Sequence, residues 1–330
     1  GTQKKINVTG AIAQVDNKEL KMAPSGNLSS MLAGRLPGLI TKQSSGQPGK
    51  DGASLYIRGN GAGDGDPLIV IDGVVTDYFP TFSPDEVESI TILKDATAAA
   101  VYGVRAAAGV ILITTKRGKA GEAKFSYDGM MAVQRQTKRL DMMNLRQYAT
   151  YYNDLVDIGE ISDPSVYYAD PSLLGVGTNW QDAIFQTALQ HQHQVSAQGG
   201  TEKIQYYVSA SYMDQDGTII GSNFNRYSFR ANLDAQLKTW LKLGLSATYT
   251  VTNDDLKLAD SDEGIVNYSL QTIPDVPIYD IDGNYASVVR EGYTSPNPIA
   301  LAMLDDILLG RQKLAGNIYF EVTPIKNLVW

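Results

Sequence analysis

Chemistry needs particular side chains at particular spacings, and this chain is poor in them. Its 330 residues hold two histidines, His191 and His193, and no cysteine. The histidines share one face of a strand-like run, QHQHQVSAQ at 190–198. Two imidazoles do not complete a zinc site, and an interfacial position is expected for them. Neither lies near a nucleophile elbow or its partner, which excludes a Ser-His-Asp hydrolase. Carboxylate pairs of the glycosidase kind would have to come from loops, and the chain is not expected to be an enzyme. Asp280, Asp282 and Asn284 open like a calcium loop, but Gly283 comes too early for an EF-hand and no Glu closes it. An ordinary turn is expected there, and no cofactor, with Ca2+ binding by the acidic loops left open. GQPGK at 46–50 fails as a phosphate loop, because Ser44 stands where its first Gly is needed and Asp51 follows Lys50.

Two arginines stand out by context. Arg58 and Arg105 each lie beside strongly apolar sequence, where an unpaired guanidinium is costly, so each must reach the surface or find a carboxylate.

The elements around them read from local signals. Ser83 can cap a turn that starts at Pro84, with Asp85 and Glu86 at its positive end. Ser89 to Leu93 then reads as a strand, Asp95 as the cap of an Ala-rich helix through Tyr102, and Gly103 as its left-handed end. Ala106 to Gly109 carry so little side-chain volume that another backbone is expected to approach closely. Val110 to Ile113 is wholly apolar, with roughly 1.5–3 kcal/mol for each side chain buried, and should be the central strand of a sheet. Leu55 to Arg58 and Leu68 to Ile71 read as further strands, with Asp72-Gly73 as a type I′ turn. Leu28, Met31, Leu32 and Leu36 fall on one face of an expected helix ended by Pro37-Gly38, and 41–52 reads as loop. Tyr78, Phe79 and Phe82 sit on a loop that either covers a core edge or meets a ligand.

Three of these segments in order carry a resemblance. SLYIRGNG (54–61), PLIVIDGV (67–74) and LKDATAAAVYGVRAAAGVILITTKRG (93–118) together resemble the plug domain of the SusC/RagA-like TonB-dependent outer-membrane transporters. The matching signature comprises Gly59, Asp72, Gly73, Lys94, Asp95, Tyr102, Gly103 and Gly109. The resemblance implies that Arg58 and Arg105 anchor the plug to barrel glutamates in later strands. It nominates Asp64, Asp66, Tyr78 and Phe79 at the plug apices as ligand contacts.

After Gly118 the texture changes, and a boundary near 120 divides a plug, 1–120, from a second part, 121–330. There the sequence alternates in polarity over 123–134, 190–198, 204–212, 227–238, 241–251 and 314–322, segments about as long as a tilted membrane-spanning strand, ~9–11 residues. Tight turns at 199–202, 238–240 and 324–327 alternate with longer links at 135–188, 214–224 and 253–311, the parity of an outer-membrane barrel. Trp240 and Tyr249 are placed for an aromatic girdle at opposite ends of one strand. Within the long links, Asn144 can cap one helix and 178–185 reads as another. The expected fold class is thus an α+β plug domain, a mixed β-sheet with short helices, followed by antiparallel β-strands of an incomplete transmembrane β-barrel. Six strands and the start of a seventh fall short of the ~8 that closure needs and the ~22 of plugged transporters, so the chain is expected to be part of a longer protein.

Composition narrows the partners. Charged residues are 19% and the net charge is -8, with no basic cluster, which argues against nucleic acid. No window is long and apolar enough for a membrane-crossing helix, and a signal peptide is not expected within these residues. The resemblance implies TonB-dependent import of an oligosaccharide or a peptide across the outer membrane of a Gram-negative bacterium. It also implies a SusD-like surface lipoprotein as partner, outer-membrane lipid around the barrel, and contact with TonB through a segment missing from this chain. The 19 tyrosines suit both sugar stacking and barrel girdles. A siderophore- or cobalamin-type receptor is the nearest rival. A secreted β-rich glycan- or peptide-binding module, which would leave polar side chains outside its strands, is the more distant one.

Overall fold

The computed structural model describes residues 12–20, 25–57, 65–76, 79, 83–94, 100–161, 166–259, 261–290 and 293–324. Its N-terminal part is built on a mixed five-stranded sheet. In chain order the strands of this part are β1 (Ile12–Asp16), β2 (Leu39–Gln43), β3 (Ala53–Ile57), β4 (Leu68–Ile71), β5 (Val74–Thr76), β6 (Val87–Leu93) and β7 (Val110–Thr115). The sheet order is β1-β6-β7-β4-β5, so the apolar β7 lies at the centre, parallel to β4 and antiparallel to β6. Val110, Ile111 and Ile113 are buried. β4 and β5 are joined by Asp72-Gly73, whose φ angles of +48° and +88° are those of the expected I′ turn. Ser83 caps the 3-10 turn Pro84–Glu86 by accepting from the Asp85 N–H.

Three local expectations change. The segment at 28–36 forms only a 3-10 turn, Ser30–Leu32, because Gly34 and Gly38 take φ of +70° and +81°, which a right-handed helix cannot continue. Its four apolar side chains are nevertheless buried together against Val15, Ile90 and Ile92. Thr41 to Gln43 belong to β2, paired with β3 in a separate two-stranded ribbon, not to a loop. What approaches Gly109 is a side chain, not a backbone: a Cβ there would lie 2.9 Å from Ile57 Cδ1, and the backbone holds φ +98°.

From Gly121 the chain runs up and down as one antiparallel sheet of β8 (Gly121–Gln134), β9 (Ala188–Gly200), β10 (Ile204–Asp216), β11 (Asn223–Lys238), β12 (Leu241–Leu256) and β15 (Ile307–Val322), each hydrogen-bonded to the next. A small hairpin, β13 (Val288–Arg290) and β14 (Tyr293–Ser295), lies in the link before β15. One face is apolar and exposed, with Phe125, Tyr127, Val195, Phe229, Leu314 and Ile318 among its members. The other is polar and buried, with Gln190, Gln194, Ser228, Asn232, Ser246 and Thr250 among its members. This inverts the pattern of a water-soluble sheet, and it is the distribution of a barrel wall facing hydrocarbon.

The height of the apolar face fits that reading. On β11 it extends from Tyr227 to Leu237 through Phe229, Ala231 and Leu233. Ten residue steps at ~3.3 Å give about 33 Å along the strand. A tilt of ~40° reduces this to about 25 Å along the membrane normal, the height of an outer-membrane apolar band. His193, Tyr212 and Tyr227 stand in register across one row at its upper limit, and their rings touch their neighbours. This row, not Tyr249, is the girdle, since Tyr249 falls mid-strand; Trp240 lies at the opposite edge. Above the row the outer face turns polar: Asn223 donates to Asp214 and Asp216, both 3.0 Å, and Asn225 and Asn253 continue the chain.

The strands therefore have 13–16 residues, longer than the ~9–11 expected, because pairing continues beyond the apolar band. The middle link shrinks to 217–222 for the same reason. In the long links Asn144 caps the helix Leu145–Asp157 through a capping box with Gln147, and Asn179 caps Trp180–Ile184.

Candidate functional site

The alternation of β9 to β12 points their polar side chains at the N-terminal part, and a series of side-chain hydrogen bonds joins the two. At its centre Arg230, from β11, reaches the Asp72 turn. Its Nη2 donates to Asp72 Oδ2 (2.8 Å), Thr115 Oγ1 (2.6 Å) and Ser246 Oγ (3.3 Å), and its Nη1 donates to Thr248 Oγ1 (2.9 Å). Asp72 is fixed in turn by the Thr115 N–H (2.9 Å) and hydroxyl (2.6 Å). A second carboxylate, Glu86, lies 3.7 Å from Arg230 Nη1. Arg230, Asp72 and Glu86 have side chains 2%, 3% and 0% exposed, so this is a charge cluster removed from water.

Further bonds run along the strands. Arg226 donates to the Gly26 carbonyl (2.7 Å), and Gln192 donates to Asp85 Oδ2 (2.8 Å) and Ser83 Oγ (3.1 Å). Asn232 donates to the Lys116 carbonyl (2.6 Å), and Arg117 pairs with Asp234 (3.1 Å), which also accepts from Tyr319 (3.0 Å). At the end of this ladder Gly118 packs on β10 so closely that a Cβ would lie 2.3 Å from the Tyr206 backbone nitrogen. The arrangement holds one body inside a wall by many buried polar contacts, each of which must be broken or rehydrated for the body to move.

Glu86 is the titratable part of this latch. Burial pushes its carboxyl up from 4.5 to about 7, against the pull of Arg230 and Arg226. Between those values the docked state holds a proton that a released, solvated Glu86 gives up. Docking is therefore strongest below about 4.5 and weakens as pH rises through about 7. For the full-length protein in lipid, the unfolding temperature of the N-terminal part should fall between pH 5 and pH 8, and Glu86→Gln should flatten that slope. An unchanged slope in the variant would remove Glu86 from this role.

The residues singled out in the sequence separate into two places. Asp72 and Gly73 form the turn that meets Arg230. Asp66, Phe79 and Arg105 come together around a hollow of about 500 Å³ at the opposite end of the sheet, beside Leu68 and Ile111. Arg105 is exposed there, on the 3-10 turn Val104–Ala106. Tyr102 packs against the buried cluster of Leu68, Val70, Leu93, Ala106 and Val110, and Gly103 follows with φ +73°. Lys94 is half-buried and crosses Gly38. Arg58, Gly59, Asp64, Tyr78 and Asp95 lie outside the described residues. Arg226, Arg230 and Asn232 were not singled out, because on β11 they read as the polar half of an alternating strand. The available signal was an Arg-x-x-x-Arg pair on the luminal parity of a strand with no carboxylate between them.

The long links hold a second feature. A hollow of about 640 Å³ opens between 139–144, 176–182 and 269–274, with Tyr148 and Trp180 in its wall. Tyr148, Tyr152 and Tyr168 cluster beside it with centroids 6.0–6.4 Å apart, and Tyr168 donates to Asp275 Oδ2 (2.6 Å). Asp280 forms an ordinary turn, its Oδ1 accepting from the Asp282 and Asn284 N–H groups.

Comparison with known proteins accounts for this architecture. Residues 4–110 match the family model of the TonB-dependent receptor plug domain. The chain is 35% identical over 301 residues to the TonB-dependent receptor SusC of Bacteroides thetaiotaomicron, covering 86% of this chain and 28% of that protein. It is 32% identical to the TonB-dependent receptor P26 of Formosa agariphila, covering 100% of this chain and 33% of that protein. Among solved structures, the RagAB peptide importer in its open-open state superposes with a TM-score of 0.83 at 27% identity, over 100% of this chain and 40% of the other. A ferric enterobactin receptor of Pseudomonas aeruginosa shares the fold at 0.52 and 14%. The fold is that of a TonB-dependent receptor: a plug seated in a strand wall. Within that class the chain belongs to the SusC/RagA-like members, and it spans about a third of the length of the curated relatives it matches.

Proposed function

We propose that residues 1–120 are the plug and 121–330 the first wall strands of a TonB-dependent importer in the outer membrane of a Gram-negative bacterium. The buried latch centred on Arg230 carries this reading, because a wall that is greasy outside and bonded to a folded body inside is a closed conduit. The cargo is an oligosaccharide, met first by the loop layer, where the tyrosine cluster offers flat rings for sugar faces. A peptide cargo is the second reading, favoured by the similarity to the RagAB peptide importer. A SusD-like lipoprotein closes over the loops, and TonB reaches the plug through a segment outside this chain. Asp66 and Phe79 contact the cargo on its way, and Arg105 anchors the plug to strands beyond Val322.

Uptake of labelled oligosaccharides and peptides should be measured in cells carrying the full-length protein, with and without the energy transducer. Transducer-dependent entry of oligosaccharides is the expected result. Entry of peptides alone would move the cargo to the second reading, and entry that ignores the transducer would overturn the import mechanism.

A further inference from the structure

The luminal face of the wall is not evenly charged. Register places Arg226, Thr252 and Arg311 in one row, Ser228, Thr250 and Lys313 in the next, and Arg230, Thr248 and Ala315 in the third. Extended through β10, β9 and β8, these three rows contain four cations and one carboxylate, Asp128 on β8. β8 is three strands from β11, roughly 14 Å at ~4.8 Å per strand. Asp254 stands one row above and pairs with Arg311. The remaining positions in these rows on β9, β10 and β12 are amides, hydroxyls and Met213.

The plug presents the opposite charge to this patch. Asp72 and Glu86 face Arg230, and the charges of Glu86, Asp85 and Asp51 reach Arg226. Such an excess of one sign in a walled, low-dielectric passage sets up a potential that selects what enters it. In the closed state the plug's acidic face meets the Arg226 and Arg230 part of that patch, while Asp254 of the wall holds Arg311. The barrel's own hydroxyls, on Ser246 and Thr248, keep Arg230 pointing inward independently of the plug.

We propose that Arg226, Arg230, Arg311 and Lys313 form an anion-selective site in the conduit, with Arg226 and Arg230 covered by the plug's carboxylates and Arg311 held by Asp254 of the wall at rest, and with carboxylate-bearing cargo occupying the set once the plug moves. This rests on the import reading above and narrows it: the cargo, glycan or peptide, is acidic. The plug's Asp72, joined by Glu86 where it is ionised, acts as an internal stand-in for the cargo's carboxylates, so that one set of cationic groups serves both the closed and the conducting state.

The test uses the full-length protein in planar bilayers, with urea on the plug side to unseat the plug. In a KCl gradient the reversal potential should show a chloride preference. The combined variant Arg226→Gln, Arg230→Gln, Arg311→Gln and Lys313→Gln should reduce the chloride-to-potassium permeability ratio by roughly threefold or more. A single variant, Lys313→Gln, which leaves Arg226 and Arg230 in place, should shift the ratio in the same direction if the full set fails to assemble. Oligogalacturonate and oligoglutamate should each block the current at roughly tenfold lower concentration than a neutral oligosaccharide or neutral peptide of equal length. The more potent of the two acids identifies the cargo's source. A cation-selective or unselective wild-type conduit, or equal block by neutral probes, would overturn the anion site while leaving the import reading standing. A protein that never conducts when its plug is unseated would overturn the import reading itself.

Discussion

Arg230→Met in the full-length protein is expected to free the plug. The substitution keeps side-chain volume but leaves Asp72 and Glu86 buried beside a thioether, with the Thr115 hydroxyl and N–H as the remaining donors to Asp72. Removing one partner of a buried charge cluster costs about 3–5 kcal/mol, most of it the penalty of stranding the carboxylates in a dry site. If plug release is the local opening that exposes β4 and β7, amide exchange there should accelerate by roughly 10²- to 10⁴-fold. Adding Asp72→Asn and Glu86→Gln to the same chain should recover most of that loss, because neutral amides no longer need a counter-charge. Failure of the triple variant to recover would mean that Arg230 acts through packing alone.

The second large effect concerns the outer face. Leu245→Arg places a guanidinium in the middle of the apolar band, between Leu233 and Ile318 on the neighbouring strands. At the midplane of a bilayer such a substitution costs about 2–4 kcal/mol. The same change at Asn253, above the row of Tyr227, should cost no more than about 1 kcal/mol, since the side chain meets headgroups and water. The check is denaturant unfolding of the full-length protein in vesicles. Equal costs at the two depths would mean that the exposed apolar face does not sit in a membrane.

Much of this architecture could be read from residue order because strand geometry prints itself on sequence. A period of two distinguishes Leu243 and Leu245 from Lys242 and Ser246 without any coordinates, and the Asp72-Gly73 pair announces a turn that needs two positive φ angles. The ends of the strands were harder. Beyond Tyr212 and Tyr227 the outward positions become Asp214, Asp216, Asn223 and Asn225, a string that reads as loop while its backbone still pairs. The turn at 30–32 carries a helix-like pattern for a related reason. Leu28, Met31, Leu32 and Leu36 have helical spacing, yet tertiary burial needs only that they point one way, and Gly34 lets the chain do so without a helix.

The latch was the least legible part, and its physics explains why. Arg230 and Asp72 are 158 positions apart, and neither carries a local mark of the other. Asp72 already had an explanation as a turn residue, and Arg230 as the wet side of a strand. Only the docked fold shows that one carboxylate serves both the turn and the wall. The anchoring first assigned to plug arginines is complemented here by the reverse arrangement, with arginines on the wall and carboxylates on the plug.

The most direct test of the membrane wall closed by a latched plug is accessibility along β12 of the full-length protein in lipid bilayers, read with spin labels at Leu243 and Ser246. The Leu243 label should be relaxed by oxygen dissolved in lipid and shielded from a water-soluble nickel chelate, while the Ser246 label escapes the lipid reagent. A Leu243 site open to water together with a Ser246 site open to lipid would contradict a membrane wall.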